Sequence, residues 1–512
     1  MAADPTLEQE GEAAAAPRGR DLAINELFGL HNREDRNKYP GVDHFFYHVE
    51  KVCFPQFAEF NKAIWDVMQI ECTTDHSQKW EWCAHVIETC RSLQNSNPTV
   101  GALATEFLSA HGKPNIIFRE LDEHLQFAIV EALLHTLCWL SATIMPVVEK
   151  HDLVDVRTSK GTAKAFSLTA LYNGKTIICS VALNSTLSDI FQRINQAAVP
   201  TPMDMDGNRL TCATGDVLHE PCVTYASLRK YAGVRLKWVS SLSEHLSLDR
   251  NTNVLSVFRY PSVCAVRVLN RNKCEVIANI TNRLLPGRHY ARPNEVENEE
   301  NVCQQVILSY RLLFGQSTAS RNRLKEELVE LVESTAESTR NGPFVLRCTG
   351  KARNAWKVIR SQWALFWQSK IFRKLLKDES GESTAESMPD DPFILQCIDE
   401  FPSSWKVWVG LAKPDPPFSP AILPARFRRD DGSIKEWSTY FARIHFDSFT
   451  WRLLAIQTFG NDHPPRAFLD YVMDPRAPMQ RAAARVGVVA VVLAVSFGTV
   501  QASLAARQLV GA

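Results

Sequence analysis

Apolar positions change their period along this chain, and each period predicts an element. Between residues 21 and about 150 they recur at helical spacing, most clearly where Leu125, Ile129, Ala132, Leu133, Thr136, Leu140 and Ile144 share one broad face. That run is apolar enough to be mistaken for a membrane span. Glu131 and His135 would then sit in hydrocarbon and Pro146 would break the helix, so a helix buried in a folded core is expected instead. From Phe166 the period falls to two. Phe166, Leu168 and Ala170 alternate, Asn173 with Gly174 gives a strong hairpin signal, and Thr176 to Val181 supplies the return strand. A helix follows: Ser185 and Thr186 can cap it, Asp189 suits its first turn, and Leu187, Ile190, Phe191 and Ile194 form its apolar stripe. Further strands are expected at Val234 to Trp238, at Leu246 to Leu248, and at Val254 to Phe258 after the polar turn Arg250 to Asn253.

A different pattern closes the sequence. Between Arg485 and Arg507 lie 21 uncharged residues, VGVVAVVLAVSFGTVQASLAA. As a helix they would be about 31 Å long, against a bilayer core of roughly 30 Å, so residues 486–506 are expected to form a single transmembrane helix. Arg466, Arg476, Arg481 and Arg485 precede it and Arg507 alone follows, which places the N-terminal bulk in the cytosol. With six residues beyond it, the segment reads as a tail anchor inserted after translation. The glycosylation sequons at Asn184 and Asn279 should then stay unmodified.

Composition adds bounds. At 512 residues the chain predicts about three folding units. Lys plus Arg, at 57, equals Asp plus Glu, at 57, so charge acts only locally. Thirteen cysteines without a CxxC pair indicate a reducing compartment rather than a disulfide framework. The expected plan is an α+β protein. A disordered tail at 1–20 precedes a helical domain at 21–150 and a β-rich domain at 160–282. A helical region at 290–377, a helical and loop region at 378–480 and the membrane helix follow. The six-residue string ESTAES occurs at 333–338 and again at 382–387, and the same offset pairs Pro343 with Pro392, Cys348 with Cys397 and Trp356 with Trp405, a local duplication.

Candidate chemistry is sparse. Asn173 to Thr176 looks like the end of a phosphate-binding loop, but Thr169 stands where the first glycine belongs and a strand follows, so no helix N-terminus cradles a phosphate. Cys72, His76, Cys83, His85 and Cys90 are zinc-type residues at spacings that fit no finger, and Cys83 and Cys90 share a stripe with Trp80 and Ile87, so they are expected in the core with no metal. GxSxG, HExxH and GxGxxG are absent, so no catalytic residue and no cofactor is assigned.

The stretch from Gly350 to Lys377 stands out. Lys351, Arg353, Lys357, Arg360, Lys370, Arg373, Lys374 and Lys377 alternate with Trp356, Trp363, Phe366 and Trp367, and no acid lies among them. Such a helix suits an anionic lipid surface, or a calmodulin-like groove, since Ile359, Phe366 and Phe372 fall at positions 1, 8 and 14. Its aromatic face can equally pack on its own domain. Nucleic acid is not expected, because no reading module surrounds the stretch.

Two resemblances enter here. FSLTALYNGKTIICSVALNSTLSDIFQRI and RLTCATGDVLHEPCVTYASLRKYAGVRLKWV, within 165–239, resemble the order of elements in ubiquitin-like β-grasp domains, which implies the fold and not conjugation, since LKWV runs into SSLSEHL without a Gly-Gly end. TYASLRKYAGVRLKWVSSLSEHLSLDRNTNVLSVFRYPSVC, SYRLLFGQSTASRNRLKEEL and FTWRLLAIQTF with the tail are similar to a group of uncharacterised filamentous-fungal proteins that end in a membrane helix. The chain departs from that group in the basic, duplicated stretch after residue 330 and in a tail poorer in aromatics. The expectation is a non-catalytic, membrane-tethered interaction or scaffold protein facing cytosolic proteins. A membrane-associated enzyme with an unrecognised site is the alternative.

Overall fold

The structure is a computed structural model. It describes residues 19–31, 36, 39–60, 62–68, 76–93, 97–147, 154–158, 161–172, 175–198, 217–270, 275–283, 301–315, 319–320, 322–324, 422–423, 425–427, 437–464, 474, 476 and 482, and, in the tail segment, 486–487, 489–491 and 493–502. The protein mixes helices with small sheets, as the α+β expectation holds. Two compact units are present, Met1–Arg321 with Pro402–Ala512, and Asn322–Phe401. Nearly all of the second unit, including the whole of the basic aromatic stretch and both ESTAES copies, lies outside the described residues.

The first part of the larger unit is helical: α1 Gly19–Phe28, α2 Pro40–His48, α3 Lys62–Met68, α4 His76–Ser92, α5 Val100–His111 and α6 Glu123–Ser141. Asp122 caps α6 by accepting from Leu125 N at 2.9 Å. Nearly every residue from Phe127 to Ser141 is buried, so the run that imitates a membrane span is the hub of a core. Trp82, Phe57 and Phe60 pack against it, the two phenylalanines on Trp139. Trp82 Nε1 donates to Thr136 Oγ1 at 2.9 Å, and Thr136 returns its proton to the Ala132 carbonyl at 2.8 Å, so the indole N–H is not left bare.

Strands β1 Met145–Val147, β2 Val154–Thr158, β3 Gly161–Tyr172 and β4 Lys175–Val181 form an antiparallel sheet. Tyr172 pairs with Lys175 and Phe166 with Val181, the two-residue hairpin that Asn173 and Gly174 predict. Lys175 and Thr176 of the phosphate-loop look-alike therefore lie in a strand and open no helix. Helix α7, Leu187–Ala198, follows, with Thr186 Oγ1 accepting from Asp189 N at 3.2 Å and the stripe Leu187, Ile190, Phe191 and Ile194 at 2% exposure or less. The starts of α5 and α7 are laced together: Val100 N and Gly101 N donate to the carbonyls of Ser185 and Leu183, and Leu187 N to that of Pro98.

The chain continues through β5 Val217–His219, α8 Tyr225–Ala232, β6 Arg235–Val239, β7 Leu248–Asp249, β8 Val254–Phe258, α9 Pro261–Leu269, α10 Glu275–Arg283 and α11 Val302–Tyr310. Here two expectations are corrected. The strand expected at Leu246–Leu248 shrinks to Leu248–Asp249, because Leu246 takes a left-handed φ of 62° that buries its side chain completely. Among the described residues after α7, β6 runs parallel to β8 in a separate three-stranded sheet, so Arg235 to Val239 do not add a β-grasp strand to the hairpin.

Residues beyond 421 return to this unit. β9, Thr439–Phe441, pairs antiparallel with β5, and α12, Thr450–Asn461, packs on α8 and the turn Glu220–Val223. Gln457 clasps β5 from both sides, accepting from His219 N at 2.6 Å and donating to the Val217 carbonyl at 3.0 Å. Past α12, Arg476 is buried against the Tyr231 ring, 4.0 Å from guanidinium to ring centre, and its Nη2 lies 2.8 Å from Asp474 Oδ2. Among the described residues, no helix is long and apolar enough to cross a membrane.

Candidate functional site

The described residues of the Cys and His cluster divide in two. Cys83 and Cys90 lie in the core on α4, at 0% and 2% exposure, as expected of small apolar side chains. His76 turns to Glu50, with Nδ1 3.0 Å from Oε1. Cys72 lies outside the described residues.

His85 faces the other way and meets partners that spacing could not give. His85 and Glu88 are one turn apart on α4, and His111 is the last residue of α5. His85 Nδ1 and His111 Nε2 each lie 3.8 Å from Glu88 Oε2, and the two imidazole rings stack with centroids 4.0 Å apart. Glu81 Oε1 sits 3.8 Å from His85 Nε2 on the far side. The side chain of His111 is 10% exposed, and its Nε2 is buried without a hydrogen-bond partner. Burial first, then the neighbouring His85, hold its pKa below the usual imidazole value, against the opposing pull of Glu88.

A Ser–His pair elsewhere tests the enzyme alternative. His245 Nε2 and Ser309 Oγ are 2.7 Å apart, a spacing at which histidine could deprotonate a serine. Phe258 N, however, donates to His245 Nδ1 at 3.1 Å, so the ring proton must be on Nε2 and points at the serine. Ser309 in turn donates to the Val306 carbonyl at 2.6 Å. The imidazole has no lone pair left to act as base, and both residues are completely buried. Burial, then the Arg452 charge, hold His245 neutral. The pair is a structural relay between β8 and α11. A cavity lined by Leu27, Arg267, Asn270, Thr281 and Asn301 has about 20 Å³, room for a water and not for a substrate.

Among the described residues, the tail holds the longest run of exposed large apolar side chains. Val486, Val489, Val491, Leu493, Val495, Phe497 and Val500 are helical and all more than half exposed. Gly487 and Gly498 have open space where a side chain would be. At 100° per residue, Val491 and Val495 point opposite to Val486, Leu493 and Phe497, so large apolar side chains stand on opposite sides of the helix, with Ser496 and Thr499 between them. Compared with family models, curated proteins and solved structures, the chain matches none.

Proposed function

We propose that this is a membrane-tethered, non-catalytic interaction protein, held by one helix over residues 486–506 with its folded units in the cytosol. The observation that carries this reading is the exposure of large apolar tail residues on opposite sides of the helix. A helix docking into a partner's groove needs one apolar stripe, whereas one that is apolar on opposite sides needs hydrocarbon or a full protein core around it. Among the described residues, no such core surrounds the tail residues. Among the described residues outside the tail, exposed large apolar residues occur singly or in pairs, as at Leu22, Ile117, Ile178 and Phe441 with Ile444, which is ordinary for a protein surface in water. The basic stretch Lys351 to Lys377 would add a second, charge-dependent contact with the anionic leaflet.

Membrane fractionation tests the reading. The full chain should resist carbonate extraction, and the chain ending at Arg485 should move to the soluble fraction. If the shortened chain still behaves as an integral protein, the tether lies elsewhere and the proposal fails.

A further inference from the structure

We propose that His85, Glu88 and His111 form a binding site for one divalent transition-metal ion, with zinc the best match to the donors. One ligand atom from each residue lies within 4.8 Å of the other two. The second, independent sign is His111: nine-tenths of its side chain is out of water, and Nε2 faces the Glu88 carboxylate with no hydrogen bond to satisfy it. A buried imidazole nitrogen that satisfies no hydrogen bond gains a partner when it binds a metal ion through its lone pair.

The donor set selects the ion. Two imidazole nitrogens and a carboxylate oxygen suit zinc or its first-row neighbours, while calcium and magnesium ask for oxygen alone. Three protein ligands leave a fourth position for water. Ligands at 2.0–2.1 Å around a tetrahedral ion stand about 3.3 Å apart, so the two 3.8 Å separations to Glu88 must close by about half an ångström and the imidazole nitrogens, within 4.8 Å of each other, by up to about 1.5 Å. The stacked rings must also tilt from their 26° inclination for both lone pairs to converge. The more exposed side chains can supply that movement, Glu88 at 63% and His85 at 25% exposure. Glu81, beside His85 Nε2, is placed as the outer carboxylate that orients a ligating imidazole. Because His85 and Glu88 belong to α4 and His111 to α5, the ion would tie the end of one helix to the face of the other. The membrane tether plays no part in this site.

The test uses the full chain without a histidine tag, in detergent, titrated with zinc against a chromogenic chelator and then with cobalt(II). One zinc per chain is expected, with a cobalt spectrum showing tetrahedral d–d bands and no thiolate charge-transfer band. Glu88→Gln and His111→Gln should each weaken binding by at least about 100-fold, and Glu81→Gln by roughly 10- to 100-fold. Glu88 is exposed, so its replacement leaves the fold intact and keeps the test valid even if His111→Gln misfolds. Failure of the wild type to bind, unchanged binding by Glu88→Gln, or a thiolate band from one of the thirteen cysteines would each overturn the assignment.

Discussion

At the scale of single residues, a buried charge on α6 controls how stability depends on pH. Glu131 Oε1 is buried without a hydrogen-bond partner, and burial raises its carboxyl from 4.5 to about 7. The folded protein therefore holds a proton that the unfolded chain releases above pH 4.5. Stability from this group is greatest below that value, declines as pH climbs to about 7, and is level beyond; the whole change is roughly 3 kcal/mol. Glu131→Gln removes the ionisation. Its denaturation midpoint, followed by tryptophan fluorescence, should match wild type near pH 4.5 and exceed it at pH 7.5, and parallel curves at all pH values would show the carboxylate to be solvated. The conflict at this residue is legible in the sequence, since a lone Glu in an apolar run must be awkward wherever the run is placed. The approach of His111 to His85 and Glu88 is not, because 26 residues and a helix turn separate positions that the sequence presents as unrelated.

At the scale of elements, legibility follows the range of the signal. The β3–β4 hairpin, the Thr186 cap and the stripe of α7 are written within a few residues each, and the structure repeats them. The pairing of β5 with β9 joins three-residue strands more than 200 positions apart, and no local pattern marks either one. What fixes that junction is close contact. Gly460 on α12 lies so near the turn Glu220–Val223 that an added Cβ would stand 2.8 Å from the Cys222 carbonyl oxygen and 3.3 Å from Leu228 Cδ2. Alanine favours a helix interior over glycine by about 1 kcal/mol. Overfilling a packed junction costs about 1–3 kcal/mol, and a backbone oxygen cannot swing aside as a side chain can. Gly460→Ala should therefore lower the melting temperature despite its better helix propensity. A higher melting temperature would mean that α12 rests loosely on the turn.

At the scale of the whole molecule, the tail composition is open to reading from sequence, but under the proposed tethering the distance between folded unit and membrane would be set by a contact that is not. Arg476 is clamped by Asp474, by the Tyr231 ring, and by the carbonyl of His463 at 3.1 Å, with both charged side chains only 6% exposed. Ten peptide steps separate this clamp from Val486. At 3.3–3.6 Å per residue they reach at most about 35 Å, so the folded unit would be held close to the bilayer. Without the clamp the last fixed point retreats to the end of α12 near Pro464, and 22 residues could span about 75 Å. Removing one partner of a buried ion pair strands the other charge and costs about 3–5 kcal/mol, whereas replacing both with apolar groups costs far less. Asp474→Ala in the membrane-bound protein should thus expose the peptide bond after Arg476 to trypsin, with its cleavage rate, read by mass spectrometry, rising well above wild type while cleavage after Arg485 changes little. The paired replacement Asp474→Ala with Arg476→Met should recover most of the thermal stability that the single change loses. If cleavage after Arg476 is already fast in the wild type, the clamp does not hold at the membrane and the short tether goes with it.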